Sequence, residues 1–201
     1  MGGAIIPALG GLIPPGTPGY SPEIGNPYDP EGARELLAQA GYPEGRAFPR
    51  VEVITWTGME VYLKNLKLQW QKVLGVEFTW NILSMSDVFE RAKVKPPHMA
   101  FQAWVADYPD PDNFLRVGLK ENLAGWRDEA CERLVENARR KQDQIERIEL
   151  YQQADKMLID EAVVLPLFYD MEHLLIKPWL KNFHISPMRD WFLKDVIIEP
   201  H

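Results

Sequence analysis

The sequence lacks most of the features that place a protein in a class at once. It has a single cysteine, Cys131, so it can form neither an internal disulfide nor a thiolate pair for a metal. No apolar run approaches the roughly 20 residues of a membrane-spanning helix. Positive charge is not in surplus either, since 22 basic and 29 acidic residues give a net charge of −7. Without a basic patch, nucleic acid is not expected as a partner.

Recognisable catalytic and metal-binding patterns are also missing. The four histidines are scattered, and none has the spacing of a known metal site: His98, His173, His184 and His201. The sequence contains no nucleophile elbow, phosphate-binding loop or dinucleotide fingerprint. From the residues alone we therefore predict no catalytic residue, no metal and no cofactor.

Proline is concentrated near the N-terminus. Six prolines fall within the first 28 residues: Pro7, Pro14, Pro15, Pro18, Pro22 and Pro27. They interrupt the apolar stretches, and no basic residue precedes those stretches, so residues 1–20 do not resemble a signal peptide. We predict that residues 1–28 form an extended arm that packs loosely.

Strand and helix patterns alternate over the rest of the chain. Strand-forming patterns occur at 51–56, 76–82, 98–104, 163–169, 173–177 and 196–198. Apolar stripes with helical spacing predict helices near 29–41, 59–74, 86–94, 128–141 and 143–160. The predicted N-caps are Asp29, Ser86, Asp128 and Asp143, the last in a capping box with Glu146. Strands that alternate with helices indicate a sheet covered by helices.

The segment 104–114, Trp-Val-Ala-Asp-Tyr-Pro-Asp-Pro-Asp-Asn-Phe, combines carboxylates, aromatic rings and prolines directly after a predicted strand. Its prolines exclude a regular strand, so the chain must leave the sheet edge along a restricted path. In α/β sheets, ligands bind in the crevice beyond the strand ends. There a carboxylate could pair with a cation such as a peptide's α-amine, and Trp104 and Tyr108 could supply flat apolar walls.

The same segment also has a purely structural interpretation. Asp110 followed by Pro111 is a good start for a short helix over 111–117, and Asp112 would favour its first turn. Asp107 has no such local role, which makes it the best ligand candidate. A calcium site is a third option, but the spacing does not match an EF-hand loop. The residues alone leave ligand binding and helix capping open.

Several short stretches occur in a definite order along the chain. They lie at 11–16, 28–37, 40–43, 75–78, 104, 106–114, 146–147, 150–151, 165–167, 177–180 and 194–196. No single stretch is decisive. Their order and spacing, over nearly the whole chain, resemble the extracellular solute-binding proteins of family 5, which include the oligopeptide- and dipeptide-binding proteins of ABC importers.

This resemblance implies an α/β fold, namely one lobe of the type II periplasmic-binding-protein fold, with a mixed sheet flanked by helices. It implies three parts: an arm at 1–28, a C-terminal ligand-binding lobe at 29–180 and an irregular tail at 181–201 that returns toward a second lobe. The family's signal peptide and N-terminal portion do not occur in this sequence, so one wall of the cleft is expected to be missing.

The resemblance also implies a function without catalysis or cofactor. The receptor would capture a peptide or another small solute and deliver it to the membrane subunits of an ABC importer, from a periplasmic or extracellular, membrane-associated position. In peptide-binding members an aspartate of the matching loop receives the peptide's α-amine, which maps onto Asp107. We expect Trp104, Tyr108 and Asp110 to be the other ligand contacts.

Three alternatives remain at this point. The family also includes receptors for oligosaccharides and for nickel complexes. The chain could instead be a stand-alone interaction domain. A hydrolase that uses the carboxylates at 107, 110 and 112 is disfavoured, because they cluster in one loop whereas a general acid and base usually face each other across the substrate.

Overall fold

A computed structural model describes residues 5–119, 123, 125–171, 173–186 and 190–201. Its α-helices are α1 (Pro30–Gln39), α2 (Glu60–Leu74), α3 (Met85–Val94), α4 (Glu129–Arg140) and α5 (Gln144–Asp160). Its strands are β1 (Ile5–Pro7), β2 (Val51–Trp56), β3 (Phe78–Leu83), β4 (Met99–Ala100), β5 (Phe168–Asp170), β6 (Leu180–Lys181), β7 (His184–Ile185), β8 (Trp191–Phe192) and β9 (Ile197–Ile198). A π-helical segment spans Asn113–Gly118.

The chain divides into two compact units. The first combines residues 1–26, 104–120 and 127–201, and the second combines residues 27–103 and 121–126. Each unit is therefore assembled from separate stretches of chain, whereas the three-part division predicted above runs along the sequence and stays a prediction. Within the residues described, no helix is both long enough and apolar enough to cross a bilayer.

A parallel three-stranded sheet, in the order β3-β2-β4, forms the centre of the second unit. The central strand β2 is rich in β-branched residues, and Ile54 within it is completely buried. Ile54 packs with Val88 of α3 and with Leu123. Helix α3 is also tied to the sheet by an ion pair of 2.9 Å between Arg91 Nη2 and Glu52 Oε2.

Most local predictions in the second unit are confirmed. Strand β2 and helix α2 lie where the patterns placed them. Gly75 caps the C-terminus of α2 in the left-handed conformation, with a φ of 67°. The N-cap of α3 is Ser84 rather than the predicted Ser86, and its side chain accepts a hydrogen bond from the N–H of Asp87. The neighbouring serines give the same local signal, so the sequence did not distinguish them.

The predicted strand at 98–104 is wrong beyond its first residues. Strand β4 spans only Met99–Ala100, and Phe101 adds one further hydrogen bond to the carbonyl of Ile54. The chain then leaves β2, and the indole N–H of Trp104 donates to the side chain of Asn113. A strand pattern cannot reveal such a side-chain bond.

In the first unit, α4 and α5 follow each other across a short connection. Both predicted N-caps are confirmed. The Asp128 side chain accepts the N–H of Cys131, and the Asp143 side chain accepts the N–H groups of Ile145 and Glu146. Tyr151, Ala154 and Leu158 of α5 are completely buried, so α5 forms the core of this unit.

The predicted loose packing of the arm at 1–28 is not found over much of residues 5–28, the part of it that the structure describes. Strand β1 pairs with β5, and Ile13 is completely buried. The carboxylate of Asp155 in α5 accepts the N–H groups of Leu12 at 2.7 Å and Ile13 at 3.2 Å. A Cβ on Gly11 would lie 2.3 Å from that carboxylate, so only glycine permits this close approach. The partner lies more than a hundred residues away, which is why local proline content gave no sign of it.

The strands predicted near the end of the chain are only partly confirmed. Strand β5 covers only the end of the predicted 163–169, because Val163 and Val164 donate their N–H groups to Leu158 at the end of α5. Residues 173–177 are described and form no strand, and Leu175 is almost fully exposed. Beyond them lie two small antiparallel pairs, β6-β9 and β7-β8, and the predicted strand at 196–198 is found as β9.

Exposed apolar side chains are concentrated in this last part of the chain. They include Leu174, Leu175, Ile176, Trp191, Phe192, Leu193, Ile197 and Ile198. Monomeric proteins seldom expose large apolar patches, so we expect the chain to self-associate through these residues. Sedimentation velocity over a wide concentration range should show species larger than the monomer.

Replacing both Leu175 and Ile198 with serine should shift that equilibrium toward the monomer. Val94→Ser is a matched control, because Val94 is 87% exposed and lies on α3 of the other unit. A wild-type chain that stays monomeric throughout, or a control that acts as strongly as the double variant, would contradict this prediction.

Candidate functional site

The candidate site is the loop from Trp104 to Asp110 together with the helical turn that follows it. The turn begins at Pro111, as the sequence predicted, and continues into the π-helical segment. Asp110 caps this turn, since its side chain accepts the N–H of Asp112 at 2.9 Å and its carbonyl accepts the N–H of Asn113 at 3.0 Å. The structural role considered for Asp110 is therefore present.

Asn113 organises one half of the loop. Its side chain is completely buried. Its Oδ1 accepts the indole N–H of Trp104 at 2.8 Å and the backbone N–H of Asp107 at 3.2 Å. Its Nδ2 donates to Asp107 Oδ2 at 3.2 Å. One amide thus fixes both the ring and the carboxylate that the sequence singled out.

Asp107 is exposed, yet one of its carboxylate oxygens is held. Asp107 has a local partner that the sequence did not indicate, because its backbone N–H and its side chain both bond to Asn113. This contact could not be predicted from the sequence, since nothing in the spacing of residues 107 and 113 shows that the two side chains meet. An exposed carboxylate in a fixed orientation is suited to accept hydrogen bonds from a cation.

Asp112 organises the other half of the loop. It is only 7% exposed. Its carboxylate accepts the hydroxyl of Tyr108 at 2.6 Å, the Nη2 of Arg116 at 2.7 Å and the hydroxyl of Tyr151 at 3.3 Å. Burial alone would raise the pKa of Asp112, but the hydrogen bonds from Arg116 and Tyr108 outweigh it and the pKa is lowered. This carboxylate is therefore ionised and fully engaged.

Asp110 joins the same charged network from the side of α5. Its Oδ1 accepts Arg147 Nη2 at 2.6 Å, and the Arg147 guanidinium lies 4.9 Å from the centre of the Tyr151 ring. Burial and the negative charge of Asp112 raise the pKa of Tyr151 to about 12, so its hydroxyl stays protonated and can donate. Sequence reasoning identified neither Arg116 nor Arg147 as part of the site, because both act through side-chain contacts.

An open depression of about 470 Å³ lies over this network. Its lining consists of Tyr108, Asp110, Asp112, Arg116, Arg139, Arg147 and Tyr151. The guanidinium and carboxylate groups already pair with one another, so the depression offers little unsatisfied charge to a ligand. The charged groups that line the depression hold the loop in place. Trp104 and Asp107 lie outside the depression and are held by Asn113.

The four predicted contact residues therefore divide into two pairs. Trp104 and Asp107 are fixed by Asn113, and Tyr108 and Asp110 are fixed by the network around Asp112. The arrangement presents a carboxylate beside an aromatic ring. Over the described ranges, no group of three or more His, Cys, Asp or Glu side chains could hold a metal ion.

Comparison with known proteins gives the wider context. A model of the middle region of bacterial extracellular solute-binding proteins, family 5, matches residues 1–125. Di/tripeptide-binding protein 4 of Pseudomonas aeruginosa is 30% identical in an alignment of length 200 that covers 92% of this chain and 37% of that protein. The chain thus spans little more than a third of the length of this relative.

Solved structures share the fold. HbpA2 from Haemophilus parasuis matches 98% of this chain and 41% of its own with a TM-score of 0.83 at 23% identity. The periplasmic binding protein DppA from Helicobacter pylori, solved with the peptide STSA, matches 98% and 40% with a TM-score of 0.72 at 25% identity. These matches confirm the predicted fold class, an α/β lobe of the periplasmic-binding-protein type.

Proposed function

Since this chain belongs to family 5 of the bacterial extracellular solute-binding proteins, we propose that it is part of a receptor that captures short peptides for an ABC importer. The observation that carries the proposal is the exposed carboxylate of Asp107, which Asn113 holds in place beside Trp104. The names of the relatives support peptide as the ligand class, since one is a di/tripeptide-binding protein and another was solved with a bound peptide.

The proposed recognition is electrostatic at one end of the peptide and apolar beside it. A protonated α-amine would donate to Asp107 in a charge-assisted hydrogen bond, which is stronger than a neutral one. Trp104 and Tyr108 would form flat walls for the first peptide residue. Asp110 would hold the loop in place, because its carboxylate is engaged by Arg147 and by the helical turn. Its predicted contact with the ligand stays a prediction.

The remaining parts of the proposal concern the whole receptor. Ligand would be enclosed between this chain and an N-terminal lobe, and the closed receptor would present it to the membrane subunits of the importer. The receptor would work in the periplasm or at the outer face of the membrane. Binding and release require no bond to be made or broken, so we propose no catalysis and no cofactor.

The test compares dialanine with N-acetyl-dialanine, which lacks the positive charge. Wild-type chain should bind dialanine more tightly, and Asp107→Asn should weaken dialanine binding by about tenfold, the scale of a hydrogen bond to a charged group at an exposed position. The affinity for the acetylated peptide should barely change. Chemical-shift titration of the chain by NMR measures both affinities even when they are in the millimolar range.

Asp110→Asn is the matched control, because it removes the same charge three residues away. It should lower the thermal midpoint, since it weakens the pair with Arg147, and leave the preference for dialanine unchanged. If wild-type chain binds both peptides equally, the amine site does not exist. The ligand would then lack a cationic group, as an oligosaccharide does, or the chain would be an interaction domain.

A further inference from the structure

Asn113 is a fully engaged polar side chain at the end of the loop. It is fully buried, and its amide makes three hydrogen bonds to two different residues. The carbonyl oxygen of an asparagine has two lone pairs, and here Trp104 and Asp107 use both. Because a buried polar group without a partner is costly, this side chain has little freedom to take another orientation.

This arrangement determines how the Asp107 carboxylate is presented. Its Oδ2 accepts the Asn113 amide at 3.2 Å, while none of the residues described here donates to its Oδ1. The oxygen that remains open belongs to an exposed side chain, so a ligand can reach it. One oxygen is therefore used for orientation and the other is left for recognition.

The same amide orients the aromatic wall. The indole N–H of Trp104 is bound to Asn113 Oδ1 at 2.8 Å. Atoms of the same ring lie close to Gly118, where an added Cβ would be 3.4 Å from them. The ring and the carboxylate thus share one buried hydrogen-bonding partner.

We propose that Asn113 is the positioning residue of the amine site, which holds the Asp107 carboxylate and the Trp104 ring ready for a protonated α-amine without touching the ligand. This inference rests on the proposed function. A pre-oriented group binds more tightly, because less side-chain freedom is lost when the ligand arrives. Removing Asn113 should therefore weaken recognition of the amine while both ligand-contacting residues remain.

The experiment is a double-mutant cycle of Asp107→Asn and Asn113→Ala, measured with dialanine and N-acetyl-dialanine on the full chain. Asn113→Ala should remove most of the roughly tenfold preference for dialanine and change binding of the acetylated peptide less than about twofold. In the Asp107→Asn background, Asn113→Ala should have no further effect on the preference. Such non-additivity is expected when one residue acts through the other.

A merely structural role gives a different result. It would weaken binding of both peptides equally and would act additively with Asp107→Asn, and either outcome overturns the inference. Ser21→Ala is the control for a general loss of stability, because Ser21 is also buried in this unit and accepts a hydrogen bond from Gln152 at 2.9 Å. It should leave the preference for dialanine intact.

The two levels of the proposal can fail separately. If Asp107→Asn abolishes the preference and Asn113→Ala does not, the proposed function stands and the positioning role is wrong. If wild-type chain shows no preference, both are wrong. Should Asn113→Ala fail to fold, Asn113→Ser retains a small polar group that water can supplement, and the same loss of preference is expected from it.

Discussion

Replacing Asp112 with alanine is expected to lower the free energy of unfolding by about 3 kcal/mol, the scale for breaking a largely buried, hydrogen-bonded charge pair. The change leaves the hydroxyl of Tyr108 and the guanidinium of Arg116 without their shared acceptor. Arg116 is partly exposed and can turn to water, but the buried Tyr151 hydroxyl cannot follow it. Urea denaturation followed by circular dichroism measures the loss.

Glu136→Gln is the control for this experiment, because Glu136 also pairs with two arginines, Arg139 and Arg140, but at the surface. Exposed pairs contribute little, so its effect should be much smaller. A loss for Asp112→Ala no larger than that for Glu136→Gln would show that the network does not stabilise the fold. The pKa of Asp112 is lowered, so its contribution should disappear as the pH falls toward that pKa.

Asp155 should give the opposite pH dependence. Burial raises its pKa to about 6, although the hydrogen bonds from Leu12 and Ile13 oppose that shift. Between a pH of about 4, where an unfolded aspartate loses its proton, and a pH of about 6, the folded chain binds more protons than the unfolded chain. The contribution of Asp155 to the free energy of unfolding is therefore fully present below about pH 4. It decreases by about 3 kcal/mol as the pH rises from about 4 to about 6.

The measurement is the free energy of unfolding of wild-type chain and Asp155→Asn at several pH values from 4 to 7. The amide oxygen of the new asparagine can still accept the N–H of Leu12. Its NH₂ group faces the N–H of Ile13 and cannot accept it, so the variant loses that hydrogen bond at every pH. It cannot ionise, so its disadvantage relative to wild type should be greatest near pH 4 and should shrink toward pH 7.

Other groups titrate in the same range, and taking the difference between the two proteins removes their contribution. Among the described residues, Cys131 of α4 and Tyr169 of β5 sense the charge of Asp155. Their pKa values are raised mainly by burial, to about 11 and about 12, so both stay neutral throughout the window. A difference that is constant with pH would mean that Asp155 has the same pKa in the folded and unfolded chain.

The Asp155 experiment also concerns how the N-terminal segment is attached. Its residues are fixed to α5 by the Asp155 carboxylate and to β5 by the Tyr169 hydroxyl, which donates to the carbonyl of Gly11 at 2.8 Å. The proline content led us to predict a loose arm. It shows only that the segment forms neither a regular helix nor a central β-strand. An irregular backbone can still be held firmly when distant side chains satisfy its N–H groups.

The candidate site shows the same limit on a smaller scale. Composition and spacing singled out the loop and four candidate contact residues, Asp107, Trp104, Tyr108 and Asp110, whose contact with a ligand stays a prediction. The residues that orient them, Asn113, Arg116 and Arg147, carry no local signal for that role. Asn113 could equally have been one more polar residue at the start of a helix.

The sequence by itself therefore determined the elements whose causes are local. Helix caps act over two or three residues, as at Asp29, Asp128 and Asp143, and strand periodicity acts between neighbours, as in β2. Only the tertiary structure decided which distant groups meet. The bond from Leu12 to Asp155 spans 143 residues and the pair of Arg147 with Asp110 spans 37. Such partners are chosen by the packing of whole elements, which satisfies buried polar groups wherever the folded chain brings donor and acceptor together.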